Sequence, residues 1–368
     1  MGIEEVAIPV VRSYCSADAC GWDDLVARAC NGTFLHTRSF ISYHGDRFRD
    51  RSLVLENRRK RMVGVLPAAE APSDSEVIIS HPGLSYGGVV HDGTLRGAVM
   101  VGALDAIASH YRSLGYRRLR YKAVPSIFHA PPAEDDLYAL FRLGARRHQC
   151  DLSVAIDLAE RGRVTRRRRH SLSWAEREGV RVQEAWDEIA GFWRLLERNL
   201  ASRHNASPVH SLAEIQMLRE KFPDAICLIN AKIDADLVGG VLLFLSDRVS
   251  RAQYTATTER GRAACASDPV MEHAIEIARK RGCRYFDFGT CTLDAGRSLH
   301  QNLYHFKASF GGAGVLYEHY ELDLQLMRTS RWCVCMEPVV AVVVPAAPVN
   351  RRSPGMRRAG WTHAIGGK

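Results

Sequence analysis

Apolar and polar residues alternate along residues 51–71, and a charged stretch at residues 56–61 interrupts the alternation. Alternation with a period of two is typical of half-buried strands, so this segment predicts a β-hairpin. Strand-like and helix-like patterns then follow one another. The predicted elements are a strand at 75–90 with a glycine-rich exit, a helix at 97–116, a strand at 117–125, a helix at 134–145 and a strand at 151–158.

The same order of patterns returns in the second half of the chain. A hairpin, a strand, a helix, a strand, a helix and a strand are predicted at residues 226–246, 251–259, 269–282, 283–290, 297–312 and 315–324. A repeated order of this length indicates an internal duplication of one α/β unit. We therefore predict an α/β fold of two tandem lobes, each a mixed twisted sheet flanked by helices. The predicted bounds are 1–160 for the first lobe, 161–325 for the second, and 326–368 for a variable, partly disordered tail.

The last predicted helix carries polar side chains beside an apolar stripe. At the helical angle of about 100° per residue, the apolar residues share one narrow face and the polar ones occupy the strip next to it. The apolar residues are Leu299, Leu303, Phe306 and Phe310, and the polar ones are His300, Tyr304 and Lys307. The polar side chains either face a substrate at the edge of the sheet or pack half-buried, with Lys307 extending its ammonium to water.

The duplication provides a comparison for Lys307. Aligning the two corresponding helices by their final glycines places Leu140 of the first half opposite Lys307 of the second. The fold itself does not require a lysine at this position. This comparison favours a functional role for Lys307.

The charge of the chain narrows the choice of partner. The formal net charge is +9 over 368 residues, and much of it lies in two basic runs at residues 161–170 and 351–358. Such runs favour a polyanionic partner, such as the phosphates of a cofactor, a nucleotide sugar or RNA. The alternative is a solvated linker and a disordered tail, which is the interpretation we favour for the second run. The first run opens a predicted helix, so an ordered contact with phosphate stays open there.

The spacing of the cysteines and the length of the apolar runs argue against a metal site, a disulfide framework and a membrane span. The ten cysteines follow no spacing typical of a zinc site or a disulfide framework, so we expect reduced thiols and no metal. The longest apolar run, residues 338–349, contains prolines and is shorter than the roughly 20 residues of a membrane-spanning helix. Without a recognisable signal peptide, we expect a cytoplasmic protein with no stable membrane insertion.

Several segments of the second half carry a family resemblance. The sequences RHNASPVHSLAEIQMLREKFPD, VGGVLLFL, QYTATTERG, RYFDFGT and FKASFGG occur in this order between residues 203 and 312. They resemble the second half of FemAB-like GNAT acyltransferases, which are related to the aminoacyltransferases that build peptidoglycan cross-bridges. The resemblance extends over roughly residues 52–324 and is strong from residue 166 onward. It implies GNAT-like lobes, with the probable catalytic centre in the second.

The resemblance also implies a place for the chemistry. The lysine of the family's FKxxF-type motif lies at the reaction centre, and this role carries over to Lys307. Acyl transfer to an amine needs deprotonation of the amine, stabilisation of an oxyanion and protonation of the leaving group. Lys307 could stabilise the developing negative charge, and Tyr304 could act as the general acid. Asp287, at the end of a predicted strand, could hold the amine or act as the base, or it could simply cap a loop.

Other residues are candidates for binding. Ser211 and Glu214 form a predicted capping box, which gives residues 210–211 a structural explanation. Arg203 and His204 lack such an explanation. We assign substrate contacts to a set of residues in the second half. These residues are Arg203, His204, Tyr254, His300 and Asn302.

A further cluster, residues 257–265, lies between a predicted strand and a predicted helix. At this place the resemblance implies a glycine-rich turn around the pyrophosphate of coenzyme A. Only Gly261 remains of such a turn in this sequence, so arginine side chains could replace it in binding donor phosphate. The residues assigned to donor phosphate are Arg167, Arg168, Arg260, Gly261 and Arg262.

The predicted function is an N-acyltransferase that forms an amide, with acyl-CoA or aminoacyl-tRNA as co-substrate and no tightly bound cofactor. The expected acceptor is an amine on a small molecule, a sugar or a peptide. Two alternatives stay open: a tRNA-dependent aminoacyltransferase acting on a cell-wall precursor or metabolite, and a non-catalytic scaffold that binds RNA or another anion. No DNA partner is expected.

Overall fold

The computed structural model describes residues 7–326, except for the side chains of Arg203 and His204. The predicted tail therefore lies outside the described residues from residue 327 onward. The strands are β1 Val10–Ser13, β2 Leu53–Glu56, β3 Met62–Leu66, β4 Ala69–Ala71, β5 Asp74–Ile79, β6 Val90–His91, β7 Arg118–Lys122, β8 Arg146–Asp157, β9 Val180–Glu184, β10 Ile226–Ile233, β11 Asp236–Leu245, β12 Val249–Thr257, β13 Tyr285–Thr290, β14 Thr292–Leu293, β15 Ser298–Leu299 and β16 Ala313–Asp323. The α-helices are α1 Ala19–Arg28, α2 Arg38–Ile41, α3 Ala98–Ser113, α4 Asp135–Arg142, α5 Arg166–Arg177, α6 Ile189–His204, α7 Leu212–Lys221, α8 Glu259–Ala263, α9 Ser267–Lys280 and α10 Gln301–Ala308.

A large mixed sheet organises the described chain. Its ten strands are in the order β4-β5-β7-β16-β8-β13-β12-β11-β10-β9, and a smaller sheet has the order β1-β2-β3-β6. The last strand, β16, lies between β7 and β8 of the first half and pairs with both in antiparallel register. The α/β fold class predicted from the repeated pattern is confirmed. The sheet runs across the predicted boundary at residue 160, and the lobe bounds stay a prediction.

Two apolar cores cover the two faces of the large sheet. On one face, α9 and the end of α10 pack against alternate residues of the strands, including Ala252, Phe286 and Phe288. On the other face, α6 and α7 pack together with aromatic residues of the first half, and the strands contribute Val249, Tyr317 and their neighbours. Successive strand residues point to opposite faces, so β10, β11, β12 and β13 supply both cores.

The strands β12 and β13 are parallel but pair only briefly. Their register covers Val249–Tyr285 to Arg251–Asp287 and stops there. Beyond this point, the register of β12 with β11 shifts by one residue, which leaves Gln253 as the extra residue of a β-bulge. A bulge bends its strand and increases the local twist. The C-terminal ends of β12 and β13 therefore do not pair with each other, which leaves an opening in the sheet between these two strands.

One detail of the predicted last helix is wrong. The apolar stripe was expected to begin at Leu299, but α10 begins at Gln301, and Leu299 lies in the short strand β15, where it is 43% exposed. The hairpin of Thr292–Leu293 with Ser298–Leu299 uses residues whose apolar spacing also fits a helix. The predicted capping box of Ser211 and Glu214 at the start of α7 is confirmed. Among residues 7–326, no helix has the length and apolar character needed to cross a membrane.

Candidate active site

Lys307 lies at the C-terminal end of α10 and reaches across to the end of β13. Its side chain is 8% exposed, and its Nζ donates to the carbonyl oxygens of Gly289 at 2.8 Å and Thr290 at 2.9 Å. Burial lowers the pKa of the ammonium below its ordinary value. A lysine ammonium has three N–H donors; two are used by the strand end, and the third faces the thiol of Cys291.

Asp287 is fully buried two residues before Gly289. Its carboxylate accepts hydrogen bonds from the hydroxyls of Ser153 and Tyr317, the latter at 2.6 Å, and from the backbone N–H of Gly289 at 3.0 Å. Arg251 Nη1 adds a fourth donor at 3.3 Å. A carboxylate with four donors inside the protein holds its neighbours in place. It fixes the turn at Gly289, whose φ of +80° is in the left-handed region that favours glycine.

The other polar residues of α10 have separate surroundings. Tyr304 is half-buried, and a β-carbon built on Gly314 would lie 4.0 Å from its hydroxyl, so Tyr304 faces β16. The Nδ1 atom of His300 accepts from the backbone N–H of Leu303 at 3.2 Å, which makes His300 the N-cap of α10. Asn302 is exposed in the first turn. The site thus brings together Lys307 and Asp287, while Tyr304 lies one helical turn from Lys307.

An open groove of about 920 Å³ lies on the other side of α10, bounded by α5 and by the start of α9. Of the residues assigned to donor phosphate, Arg167, Arg168 and Arg262 line it, and Asn302 lines it as well. Arg167 and Arg262 are exposed side chains. The structure therefore places arginines from two distant segments, residues 161–170 and 257–265, on the walls of one groove.

Arg168 differs from its neighbours because it is buried in the wall itself. It forms an ion pair with Asp268 of α9 and donates to the Ser309 hydroxyl at 2.8 Å. Its guanidinium also lies 4.4 Å and 4.2 Å from the ring centres of Phe306 and Phe310. These contacts tie α5 to α9 and to the end of α10. Arg168 thus shapes the groove, and its charge is balanced by Asp268.

Several backbone amides of the segment before α9 are used within the turn itself. The Thr258 side chain accepts from Gly261 N at 3.0 Å, and the Thr258 carbonyl accepts from Arg262 N at 2.9 Å. A β-carbon on Gly261 would lie 2.1 Å from the Val238 carbonyl oxygen, so this glycine is needed for close packing. Arg260 is turned away from the groove toward Asp236 at 2.6 Å. The charged side chains that line the groove and are open to a phosphate are Arg167 and Arg262.

A chain of buried polar groups connects the two halves of the molecule. The hydroxyl of Tyr254 lies 2.6 Å from His210 Nδ1, and the hydroxyl of Tyr43 lies 3.1 Å from His210 Nε2. Burial lowers the pKa of His210 to about 4. The hydroxyl of Tyr254, a predicted substrate contact, is thus engaged with His210. The side chains of Arg203 and His204 lie outside the described residues, so those two assignments stay predictions.

Sequence reasoning missed the residues that surround Asp287 and Lys307. Ser153, Arg251 and Tyr317 contact Asp287 from three different strands. Cys291, two residues after Gly289, is buried, and burial raises the pKa of its thiol. The available signal was a charged residue, Arg251, within an otherwise apolar and neutral strand pattern. Its partner depends on the register between β12 and β13, which sequence spacing does not specify.

Comparison with known proteins supports the predicted family. Residues 159–308 match the family model described as an acetyltransferase (GNAT) domain. No curated protein matches the chain.

Several solved structures share the fold. The crystal structure of FemX, at 13% identity and a TM-score of 0.61, aligns over 85% of this chain and 97% of its own. L-PGS from Bacillus licheniformis aligns at 10% identity and a TM-score of 0.52 over 76% of this chain and 84% of its own. A conserved protein of unknown function from Bacteroides thetaiotaomicron aligns at 12% identity and a TM-score of 0.56 over 85% and 99%. Residues 159–308 are therefore similar to the GNAT acetyltransferase domain, and the fold is the one that these solved structures share.

Proposed function

We propose that this protein is an N-acyltransferase that forms an amide between an activated acyl donor and an amine, with Lys307 at the reaction centre. The observation that carries the proposal is the buried ammonium of Lys307. Its Nζ is fixed by two carbonyl oxygens at the end of β13, beside the opening between β12 and β13 of a GNAT domain. Such a fixed ammonium is suited to stabilising developing negative charge.

In the reaction, the nitrogen of the amine attacks the carbonyl carbon of the donor, and the carbonyl oxygen becomes an oxyanion. The ammonium of Lys307 stabilises this oxygen, which replaces the Cys291 thiol as its third partner. As the tetrahedral intermediate collapses, the bond to the leaving group breaks, Tyr304 donates a proton to the departing oxygen or sulfur atom, and the proton that the nitrogen loses returns to the Tyr304 oxygen directly or through water. We assign Asp287 to positioning, because its carboxylate already accepts four hydrogen bonds inside the protein.

The groove between α5 and α10 is the proposed donor site. Several backbone amides of residues 258–268 are used within the turn, and Arg167 and Arg262 line the groove where a pyrophosphate would bind. Spaced arginine side chains suit a long polyanion such as tRNA, whose binding is sensitive to salt because counterions are released. These features favour aminoacyl-tRNA as the donor. Acyl-CoA is the second candidate, favoured by the acetyltransferase description of the family model.

A paired titration tests the donor. The wild-type protein is titrated with coenzyme A and acetyl-CoA, and with charged and uncharged tRNA, at two salt concentrations. We expect salt-sensitive binding of charged tRNA with no response to coenzyme A. A response to coenzyme A with weak, unselective binding of tRNA would instead assign the donor as acyl-CoA.

Two neighbouring arginines provide a matched pair for the same titration. Arg262→Gln removes a charge from the groove, whereas Arg260→Gln removes an exposed charge that pairs with Asp234 and Asp236 outside it. We expect Arg262→Gln to weaken donor binding and to lower its dependence on salt by about one phosphate contact. Equal effects of the two substitutions would remove the groove from the donor site.

A further inference from the structure

Arg251 is the last residue of β12 that pairs with β13, and it stands next to the proposed reaction centre. Its Nη1 donates to Asp287 at 3.3 Å and to the hydroxyl of Tyr317, and its guanidinium carbon lies 4.8 Å from the centre of the Tyr317 ring. Tyr317 in turn donates to Asp287 at 2.6 Å. One end of the guanidinium is thus anchored by a carboxylate, a hydroxyl and an aromatic face.

The opposite edge of the same guanidinium, which carries Nε, lacks a hydrogen-bond partner at that atom. The Nε atom is buried and has no hydrogen-bond partner within residues 7–326. A β-carbon built on Gly289 would lie 4.0 Å from Nη2, so this edge faces the glycine whose carbonyl holds Lys307. The Arg251 side chain is 14% exposed, so part of it meets solvent. Buried N–H donors without partners are rare in native proteins and call for a ligand or an ordered water.

The free edge specifies the kind of ligand. Nε and Nη2 present two parallel N–H donors in one plane, which is the arrangement that binds a carboxylate through both of its oxygens. Asp287 already offsets the charge of Arg251, so the site favours a monoanion such as a carboxylate over a doubly charged phosphate. Lysine would not reproduce this edge, because its ammonium is a point charge.

The position of Arg251 in the sheet assigns the ligand to the acceptor side. The groove with the donor arginines is bounded by α9 and α10, which cover the face that carries Ala252, Phe286 and Phe288. Arg251 and Asp287 alternate with those residues and point to the opposite face, toward Tyr317. An acceptor carboxylate on Arg251 would bring a nearby amine to the opening between β12 and β13, where Lys307 is fixed.

We propose that Arg251 binds the carboxylate of the amine acceptor, so that the acceptor is an amino acid or a peptide with a free carboxyl group. The assignment of the bound molecule as acceptor rests on the proposed acyl transfer. The binding of a carboxylate at this edge does not depend on it.

The test compares carboxylates with their amides in equilibrium binding. The probes are alanine against alaninamide, and alanylalanine against its C-terminal amide, measured by calorimetry or ligand-observed NMR. For the wild-type protein, we expect at least one carboxylate to bind about tenfold or more tightly than its amide. In Arg251→Lys, the cation opposite Asp287 is kept and this preference should be lost. Arg251→Gln should lose it as well.

Arg284→Gln is the matched control. Arg284 precedes β13, pairs with Asp157 at 2.6 Å and lies over the ring of Tyr285 at 5.9 Å, but it does not face Gly289. This variant should keep the wild-type preference. Equal binding of carboxylates and amides by the wild-type protein, or an unchanged preference in Arg251→Lys, would overturn the proposal.

Activity measurements separate this proposal from the proposed function. A carboxylate preference that depends on Arg251, without amide product from either acyl-CoA or aminoacyl-tRNA, would overturn the acyl transfer and keep the carboxylate site. Amide formation on amines without any preference for a carboxyl group would keep the acyl transfer and overturn the role of Arg251.

Discussion

Lys307 combines a structural contact at the end of β13 with the role that we propose for it in the reaction. Its Nζ binds two carbonyl oxygens, and its third N–H faces the thiol of Cys291, which a reacting oxygen would displace. In the first half, the corresponding Leu140 is completely buried without any polar contact from its side chain. An apolar residue therefore satisfies the helix position in the first half, which supports the functional role that we propose for Lys307.

A second buried lysine makes the role of Lys307 testable. Lys122 is also buried, and its Nζ also donates to two backbone carbonyls, those of His81 at 3.2 Å and Leu84, but it lies in β7 of the first half. We expect Lys307→Met to lower kcat by about 100- to 1,000-fold, as for the loss of one donor to an oxyanion. Lys122→Met should lower the free energy of unfolding about as much as Lys307→Met does, and it should leave kcat per folded molecule unchanged.

The readouts for this pair are initial rates of amide formation and denaturant unfolding of both variants. The scaffold alternative makes the opposite prediction, since it expects Lys307→Met to retain every function of the protein. Similar rates for the two variants would therefore remove Lys307 from the chemistry.

At the residue level, sequence reasoning located Lys307 and Asp287 because each is a polar residue within an apolar pattern. It did not assign them their surroundings. The four donors to Asp287 come from β8, β12, β13 and β16, which meet only in the folded sheet. His300 was predicted to face substrate, and the structure shows it as the cap of α10, because the helix begins later than the apolar spacing indicates.

At the level of elements, two adjacent arginines of helix α5 have different surroundings. Arg168 points into the protein and pairs with Asp268, whereas Arg167 points into the groove. Sequence reasoning assigned both to donor phosphate, because adjacent arginines look alike in a basic run. Adjacent residues of a helix point about 100° apart, so only the packing of α5 against α9 determines which arginine is buried.

This division predicts opposite phenotypes for two neighbouring substitutions. Arg168→Met leaves Asp268 buried without its partner, and breaking a buried ion pair in this way costs about 3–5 kcal/mol of unfolding free energy. Arg167→Met changes an exposed side chain and should alter stability by no more than about 0.5 kcal/mol, while it weakens donor binding. Urea unfolding and donor titration of both variants check the pair. Equal stability losses would contradict the assignment.

At the level of the whole molecule, the two halves share a buried polar connection. His210 lies between Tyr43 of the first half and Tyr254 of the second, and its ring stacks on Tyr43 at a centre distance of 5.2 Å. The predicted order of hairpin, strand, helix, strand, helix and strand occurs in each half, but the contacts between the halves are not repeated. They depend on single residues such as His210, which sequence reasoning explained only through the neighbouring cap.

The protonation of His210 links this connection to pH. Burial lowers its pKa from 6.5 to about 4 in the folded protein, so the unfolded chain binds one more proton between these values. The contribution of neutral His210 to the free energy of unfolding is complete above pH 6.5. It falls as the pH drops toward 4 and changes no further below that. The slope is up to about 1.4 kcal/mol per pH unit. His210→Gln should show a shallower fall than the wild-type protein over this range.

Denaturant unfolding at half-unit steps of pH measures both slopes. Other buried histidines whose pKa is lowered to about 4, such as His36 and His91, are present in both proteins. The difference between the two curves therefore isolates His210. Parallel curves would show that His210 is not the group that titrates.

The position of β16 has a consequence for how the chain is made. Residues of β7 and β8 are separated in the sheet by residues 313–323, which the ribosome adds some 160 residues after the end of β8. During synthesis, the first half therefore exposes two strand edges that only the last strand can join, and contacts this distant in sequence slow folding. The nascent chain must keep those edges from pairing with other proteins until its final strand arrives.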